Sequence, residues 1–525
     1  MSKRGLFVLV GLISLVILSS NIGGLDLYGF DEARNAYCAR EMQQAGDWVV
    51  PTFNGNLRAL KPPLHYWGMI IAYETLGYGG IGARLGGVLA GVMTVLLIMA
   101  WTWKYHGRQA ALLSVLVLLS SIHFSIQIHQ AVPDPYLILF IALTVLSLYH
   151  FTTIGSKGGQ ALSYIFLGLA ILSKGPVAIV LVGLCYLIFL VLSRQLRWSV
   201  IISYRPFLGL LIALCASAPW FFLVHHRTGG AFTEGFFLTH NLRRFSEPLE
   251  GHGGLFLLTW LYVIVGMLPF SLLLPAGIIQ AWKARARLTH PQLLVISGGL
   301  AVVLFFCLSS TKLISYTTPA YPFAAIVIAL YVQMLTRKAK RSAILLHHAS
   351  HIFLGTVLTV AAYLLIAQDE SLHSLQAQSL FTLIIPLAAI IAIALAIRSR
   401  YHLSWWALGT GHALAGMLFF YYFAPQMDEL SPVRLMEPQV DLEQTIVSHG
   451  LFNPAYLSLW DRPIPNQWDV PAITDYLAEA TDTVYVLTQE RYLDGLKSIP
   501  DLEVLSVEKD LIEAQRSAIL IYVPR

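Results

Sequence analysis

Runs of about twenty apolar residues recur along this chain almost to position 423, and only a membrane-spanning architecture gives such runs a place. In hydrocarbon an isolated segment must satisfy its own backbone hydrogen bonds, so each run reads as a helix. Thirteen stand out, at 5–22, 82–103, 109–126, 134–152, 160–173, 175–192, 206–225, 255–280, 291–309, 317–335, 343–367, 379–398 and 404–423. Charged residues make up 12% of the 525 positions and hydrophobic ones 56%. A soluble domain carries roughly 25% charge, so an ordinary water-soluble enzyme is excluded. The first run follows Lys3 and Arg4 without a convincing small-residue cleavage site before Leu25-Asp26, and is read as an uncleaved first span.

Thirteen crossings put the two termini on opposite sides of the membrane. The loops on the N-terminal side then hold Lys104 and Arg108, Lys157, Arg194, Arg197 and Arg205, Lys283 to Arg287, Arg337 to Arg341, and Arg398 with Arg400. That is the positive-inside pattern: it places the N-terminus in the cytoplasm and the C-terminus outside. The net charge of +5 is spread over these loops, so nucleic acid is not an expected partner. The apolar run 161–193 is read as two short helices turning at Ser173-Lys174-Gly175-Pro176, because one long helix would invert every later loop; Lys174 then faces outward. The expected organisation is a membrane domain over 1–423, with a first outer loop at 24–81 and a second at 226–254, followed by a water-facing domain at 424–525. In the first loop a helix is expected from about Asp31 to Gln44 and a second over 64–76, opened by Lys61-Pro62-Pro63. The tail alternates strand-like runs (483–487, 518–523) with helical ones (473–478, 489–496), which predicts a small α/β domain. Cys38, Cys185, Cys215 and Cys307 have no metal-ligand or redox spacing, and no metal site is expected.

Chemistry is expected on the outer side. Carboxylates and dispersed cations there suit a reaction in which an anionic leaving group departs while a hydroxyl is deprotonated. Asp31 is the candidate general base; the plainer reading is an N-cap of the helix it precedes. Glu32 and Arg34 follow it, and Asp134, before Pro135, carries the same choice between helix start and function. Lys61, Lys174 and Lys312 each stand at a loop–helix junction, where snorkelling to lipid headgroups is the ordinary alternative. Three such lysines on the side that the positive-inside rule disfavours weigh against it.

Asp31-Glu32-Ala33-Arg34, Ala39-Arg40-Glu41-Met42, Gly46-Asp47-Trp48, Asn54-Gly55, Lys61-Pro62-Pro63-Leu64, Tyr66-Trp67 and Ala83-Arg84-Leu85 together resemble the first-loop pattern of bacterial GT-C glycosyltransferases, the relatives of protein O-mannosyltransferases and the lipid A aminoarabinose transferase. Pro133-Asp134, Lys174-Gly175-Pro176, His240-Asn241, Arg244-Phe245, and Lys312 with Tyr316 and Pro319-Ala320-Tyr321-Pro322 continue the match in register to about residue 335. The resemblance implies a mainly α polytopic bundle of the bacterial inner membrane. It also implies an inverting transfer of a sugar from undecaprenyl phosphate or a similar polyprenyl phosphate. By that resemblance Asp31 is the base, Lys61, Arg244, Lys312 and Tyr316 hold the donor phosphate with help from Lys174, and Glu32, Arg34, Asp134, His240 and Asn241 are candidates for acceptor or sugar contacts. No cofactor is required, and a divalent cation is not implied. Relatives commonly carry Glu before the Lys-Pro pair where this chain has Leu60, which puts that carboxylate's role in doubt here. The expected partners are the lipid-linked donor, membrane lipids, and an acceptor that is lipid A, another glycolipid, a polysaccharide or a protein. The alternative from another class is a lipid-linked-sugar or ion transporter, but that class places ionisable groups near the midplane and repeats its halves.

Overall fold

The computed structural model describes residues 2–243, 254–511 and 515–524, and the side chains of Asn241 and Leu242 are not among what it describes. Helix is present in all thirteen apolar runs, but the runs are not all of one kind. Among the described residues, seven helical stretches are long and apolar enough to cross a membrane by themselves, or eight if the pair Arg108–Leu119 and Ile122–Ile128, bent by 68°, is one span. Others are short. Lys3–Leu18 and Val177–Leu192 have 16 residues each, so at 1.5 Å per residue they fall short of the ~30 Å hydrocarbon core. The run 255–280 is broken into Phe256–Gly266 and Leu274–Lys283 around Pro269, where a proline removes a backbone donor.

At 173–176 the chain turns. Helix Lys157–Lys174 ends on Gly175, whose φ of 85° is open to glycine at little cost, and Pro176 leads into Val177–Leu192. In the first outer loop, Phe30–Gln44 and Leu64–Leu76 are helices. Between them β1 (Thr52–Phe53) and β2 (Asn56–Leu57) form a hairpin. Its turn, Asn54-Gly55, has φ of 53° and 74°, the left-handed pair that an Asn-Gly turn accepts.

After Tyr401–Leu418 the chain continues through a π-helical turn at Phe419–Phe423 into Ala424–Glu429, then into a five-stranded sheet. The strands β3 (Thr445–His449), β4 (Asn466–Gln467), β5 (Val484–Gln489), β6 (Leu502–Lys509) and β7 (Arg516–Tyr522) lie in the order β4-β3-β5-β7-β6. β3 is parallel to β4 and β5, whereas β7 runs antiparallel to β5 and β6. This C-terminal unit sits on the first outer loop. Tyr28, Ala33 and Tyr37 share one buried core with Tyr456, Trp460 and Ile464. The Tyr28 hydroxyl donates to Asp510 at 2.7 Å, Arg40 grips Asp461 through two nitrogens at 3.2 and 3.0 Å, and Asn54 exchanges two hydrogen bonds with the Ile464 backbone.

Candidate active site

Lys61, Lys174, His240 and Tyr316, four of the residues singled out in the sequence, line one cavity of about 510 Å³. They come from a loop, a helix end, a π-helical segment (Gly235–Arg243) and the 3₁₀ segment Ile314–Ala320. Val177, Val180, Phe236, Phe305 and Phe306 make the rest of the wall largely apolar. Positive groups set in a largely apolar wall are what an anionic lipid headgroup with its chain requires.

Lys174 and Lys312 are each held by a local partner. Lys174 ends its helix, where a positive charge opposes the unpaired carbonyls. Its ammonium meets Asp134 at 2.6 Å and stands 5.1 Å from the centre of the Tyr316 ring. Asp134 is 5% exposed in the first turn of Asp134–Thr153, where it anchors Lys174. Lys312 is buried as well. It is 7% exposed, and its ammonium donates to the carbonyls of Phe306, Cys307 and Ser309 at 3.3, 3.1 and 2.8 Å. These belong to the end of His290–Leu308 and the residue after it, where orphaned carbonyls in a low dielectric attract a cation. Lys312 thus places charge beside the cavity residues Phe306 and Ser309 while being engaged by backbone. Arg244 lies outside the described residues, and of Asn241 only the backbone in Gly235–Arg243 is described.

Asp31 is exposed in the first turn of Phe30–Gln44, and Gly29, not Asp31, is the N-cap. The plain capping role is therefore corrected. Asp31 and Lys61 both lie close enough to the His65 ring to act on its charge, as does Arg58. Burial, reinforced by Lys61 and Arg58, holds His65 well below the usual imidazole range, so it is neutral. Arg58 carries the information that sequence reading missed. Its guanidinium is buried, donates to Tyr66 Oη at 3.2 Å and Asn35 Oδ1 at 3.1 Å, and sits within the field of Asp31. An arginine in an outer loop, against the positive-inside bias, was the available signal.

Glu32 is turned inward. It is buried, pairs with Arg84 at 2.8 Å, and accepts the Ala131 N–H at 2.8 Å. Arg34 stacks on Phe30, with 3.8 Å between guanidinium carbon and ring centre. It lines a second cavity, of about 450 Å³, between the first loop and the C-terminal unit, together with Arg58, Asn56, Asn466, Phe452 and Trp468. Leu60 lines both cavities. Among the described residues no cluster of three or more His, Cys, Asp or Glu is placed to hold a metal ion.

With this geometry in view, the comparisons are specific. The family profile described as dolichyl-phosphate-mannose-protein mannosyltransferase matches residues 60–222. An uncharacterized protein of Aquifex aeolicus is 32% identical over 336 residues, covering 63% of this chain and 74% of that one. The chain belongs to the bacterial GT-C glycosyltransferase family. The undecaprenyl phosphate-alpha-4-amino-4-deoxy-L-arabinose arabinosyl transferase of Edwardsiella ictaluri is 30% identical to this glycosyltransferase over 58% of the chain and 55% of its own length. The enzyme of that name from Pseudomonas aeruginosa is 29% identical over 77% and 72%. The match thus spans little more than half of the first of these relatives. The crystal structure of ArnT from Cupriavidus metallidurans bound to undecaprenyl phosphate superposes with a TM-score of 0.80 at 21% identity, covering all of both chains, so the fold is shared throughout. Membership of a glycosyltransferase family leaves the transporter alternative without support.

Proposed function

We propose that this glycosyltransferase moves a sugar from a polyprenyl phosphate to an acceptor hydroxyl at the periplasmic face of the bacterial inner membrane. Its topology on this reading is thirteen crossings, with the N-terminus in the cytoplasm and 424–525 outside as an α/β domain. The observation that carries the proposal is the shared cavity of Lys61, Lys174, His240 and Tyr316, with its apolar wall. The lipid chain enters between helices along Val177, Val180 and Phe305, and its phosphate sits against Lys61, with the Lys174 charge, held by Asp134, behind it. The named relatives use an undecaprenyl phosphate-linked pentose, which supports the same donor class here.

The acceptor hydroxyl attacks the anomeric carbon while Asp31 takes its proton. The bond from that carbon to the phosphate oxygen breaks with inversion, and its electron pair leaves on the phosphate, whose charge rises by one. Cations preorganised around that phosphate stabilise the developing charge, so no general acid is needed. Arg58 sits within the field of Asp31 and so places a positive charge near the base. In purified enzyme with a defined polyprenyl-phosphate sugar, Asp31→Asn should lower kcat by about 10²–10⁴-fold. Lys61→Ala should weaken donor use severely. Near-normal turnover in both variants removes the mechanism. A mild Asp31→Asn effect beside a severe Lys61→Ala effect marks an acceptor that is already ionised.

A further inference from the structure

The second cavity has walls from two sources, and its chemistry is unlike the first. The first loop contributes Arg34, Arg58 and Asn56; the C-terminal unit contributes Phe452, Asn466 and Trp468. Trp468 is 67% exposed, directly after β4. Asn466 donates its amide to the Gly450 carbonyl at 2.6 Å, and its own side-chain oxygen is buried without a hydrogen-bond partner among the described residues. A buried acceptor left unpaired is costly unless something donates to it. A flat aromatic face beside amides and guanidinium groups matches a ligand with one apolar face and a rim of hydroxyls, and a sugar ring has that form. A volume of about 450 Å³ falls within the usual range of ligand sites.

We infer that the C-terminal unit builds a saccharide-binding subsite, with the acceptor sugar stacked on Trp468 and its hydroxyls against the Asn56, Asn466 and guanidinium rim. The inference rests on the transferase reading for its direction: Leu60, common to both cavities, is the threshold over which the acceptor hydroxyl meets the donor sugar. Arg58, which lines this cavity and acts on Asp31, ties the subsite to the base. A site that pairs a substrate hydroxyl discriminates strongly against ligands lacking it, so the acceptor class is set here and not at the donor phosphate. A peptide acceptor is the competing occupant, since β4 is a sheet edge.

The test uses full-length enzyme in lipid nanodiscs, titrated by saturation-transfer NMR with a panel of hexose, hexosamine and uronate disaccharides and with a serine-containing peptide. At least one disaccharide should bind, Trp468→Ala and Asn466→Ala should each weaken it tenfold or more, and Trp468→Phe should restore most of the loss. Binding of undecaprenyl phosphate, read in parallel, should persist in both alanine variants, which also establishes that they fold. Equal disaccharide binding by Trp468→Ala and wild type, no disaccharide binding at all, or binding of the peptide alone overturns the inference. Lys61→Ala separates the two readings. If it keeps full undecaprenyl phosphate binding, the donor site fails while the saccharide subsite stands or falls on its own titration.

Discussion

The costliest single residues to disturb are buried charges. Arg84, 2% exposed, pairs with Glu32 and donates to the Ile22, Leu25 and Asp26 carbonyls at 2.8, 2.8 and 2.7 Å. It ties the start of the first loop to the helix Gly80–His106. Arg84→Met should destabilise by about 3–5 kcal/mol, because it strands the Glu32 carboxylate in the interior. Thermal unfolding in detergent checks this, and an unchanged midpoint would mean that the pair contributes nothing. Asp134→Asn acts on function instead. Losing the partner frees Lys174 from its place in the donor cavity, so the KM for donor should rise several-fold more than the KM for acceptor. Asp31 was legible as a carboxylate at the start of a helix, but as its N-cap, whereas it lies in the first turn after Gly29. Arg58 was not singled out, and the partners of Lys312 and Glu32 were not legible, because a side chain's direction depends on which backbone carbonyls and carboxylates come to surround it.

Among the elements, those with local causes were the easiest to read. The helix over 64–76 begins after Pro62-Pro63 and ends at Gly77, and both boundaries follow from backbone chemistry. The turn at Gly175-Pro176 follows likewise. Gly175→Ala places a Cβ where φ is 85° and ψ is −156°, at a cost of about 1–3 kcal/mol. The unfolding midpoint should fall by a few degrees, and donor KM should rise with it as the Lys174 end of the helix shifts. An unchanged donor KM would show that the helix end tolerates rearrangement. Strands β5 and β7 stood out as apolar runs, whereas β3 and β6 did not. β6 carries Glu503, Glu508 and Lys509 and is recognisable only through its pairing with β7, a contact that single-segment patterns do not carry.

At the scale of the whole molecule, the C-terminal unit and the first loop behave as one body. Arg434 grips Asp26 at 2.7 Å, and the Asp26 N–H donates to Asp428 at 2.9 Å. Burial, followed by the negative charges of Asp26 and Glu32, pushes the Asp428 carboxyl up to about 7, against the Asp26 N–H and Arg84, which lower it. An unfolded aspartate titrates near pH ~3.9, so below that value both states are protonated and stability is whole. As pH rises towards about 7 the unfolded chain ionises first and stability falls; above about 7 the loss levels off. Asp428→Asn should raise the unfolding midpoint at pH ~8 and leave it nearly unchanged at pH ~4. A gain independent of pH would remove the ionisation argument. Apolar length, loop charge and turn residues act within a few neighbours, so the sequence by itself determined a membrane bundle, a first loop of two helices and the kind of residues its chemistry needs. Only the packed bundle decided that residues as distant as 61, 174, 240 and 316 share a wall, that Lys312 spends its charge on a helix end, and that a C-terminal sheet closes a second cavity over the first loop. Those contacts join segments far apart in the chain, and no local rule of backbone or hydropathy carries them.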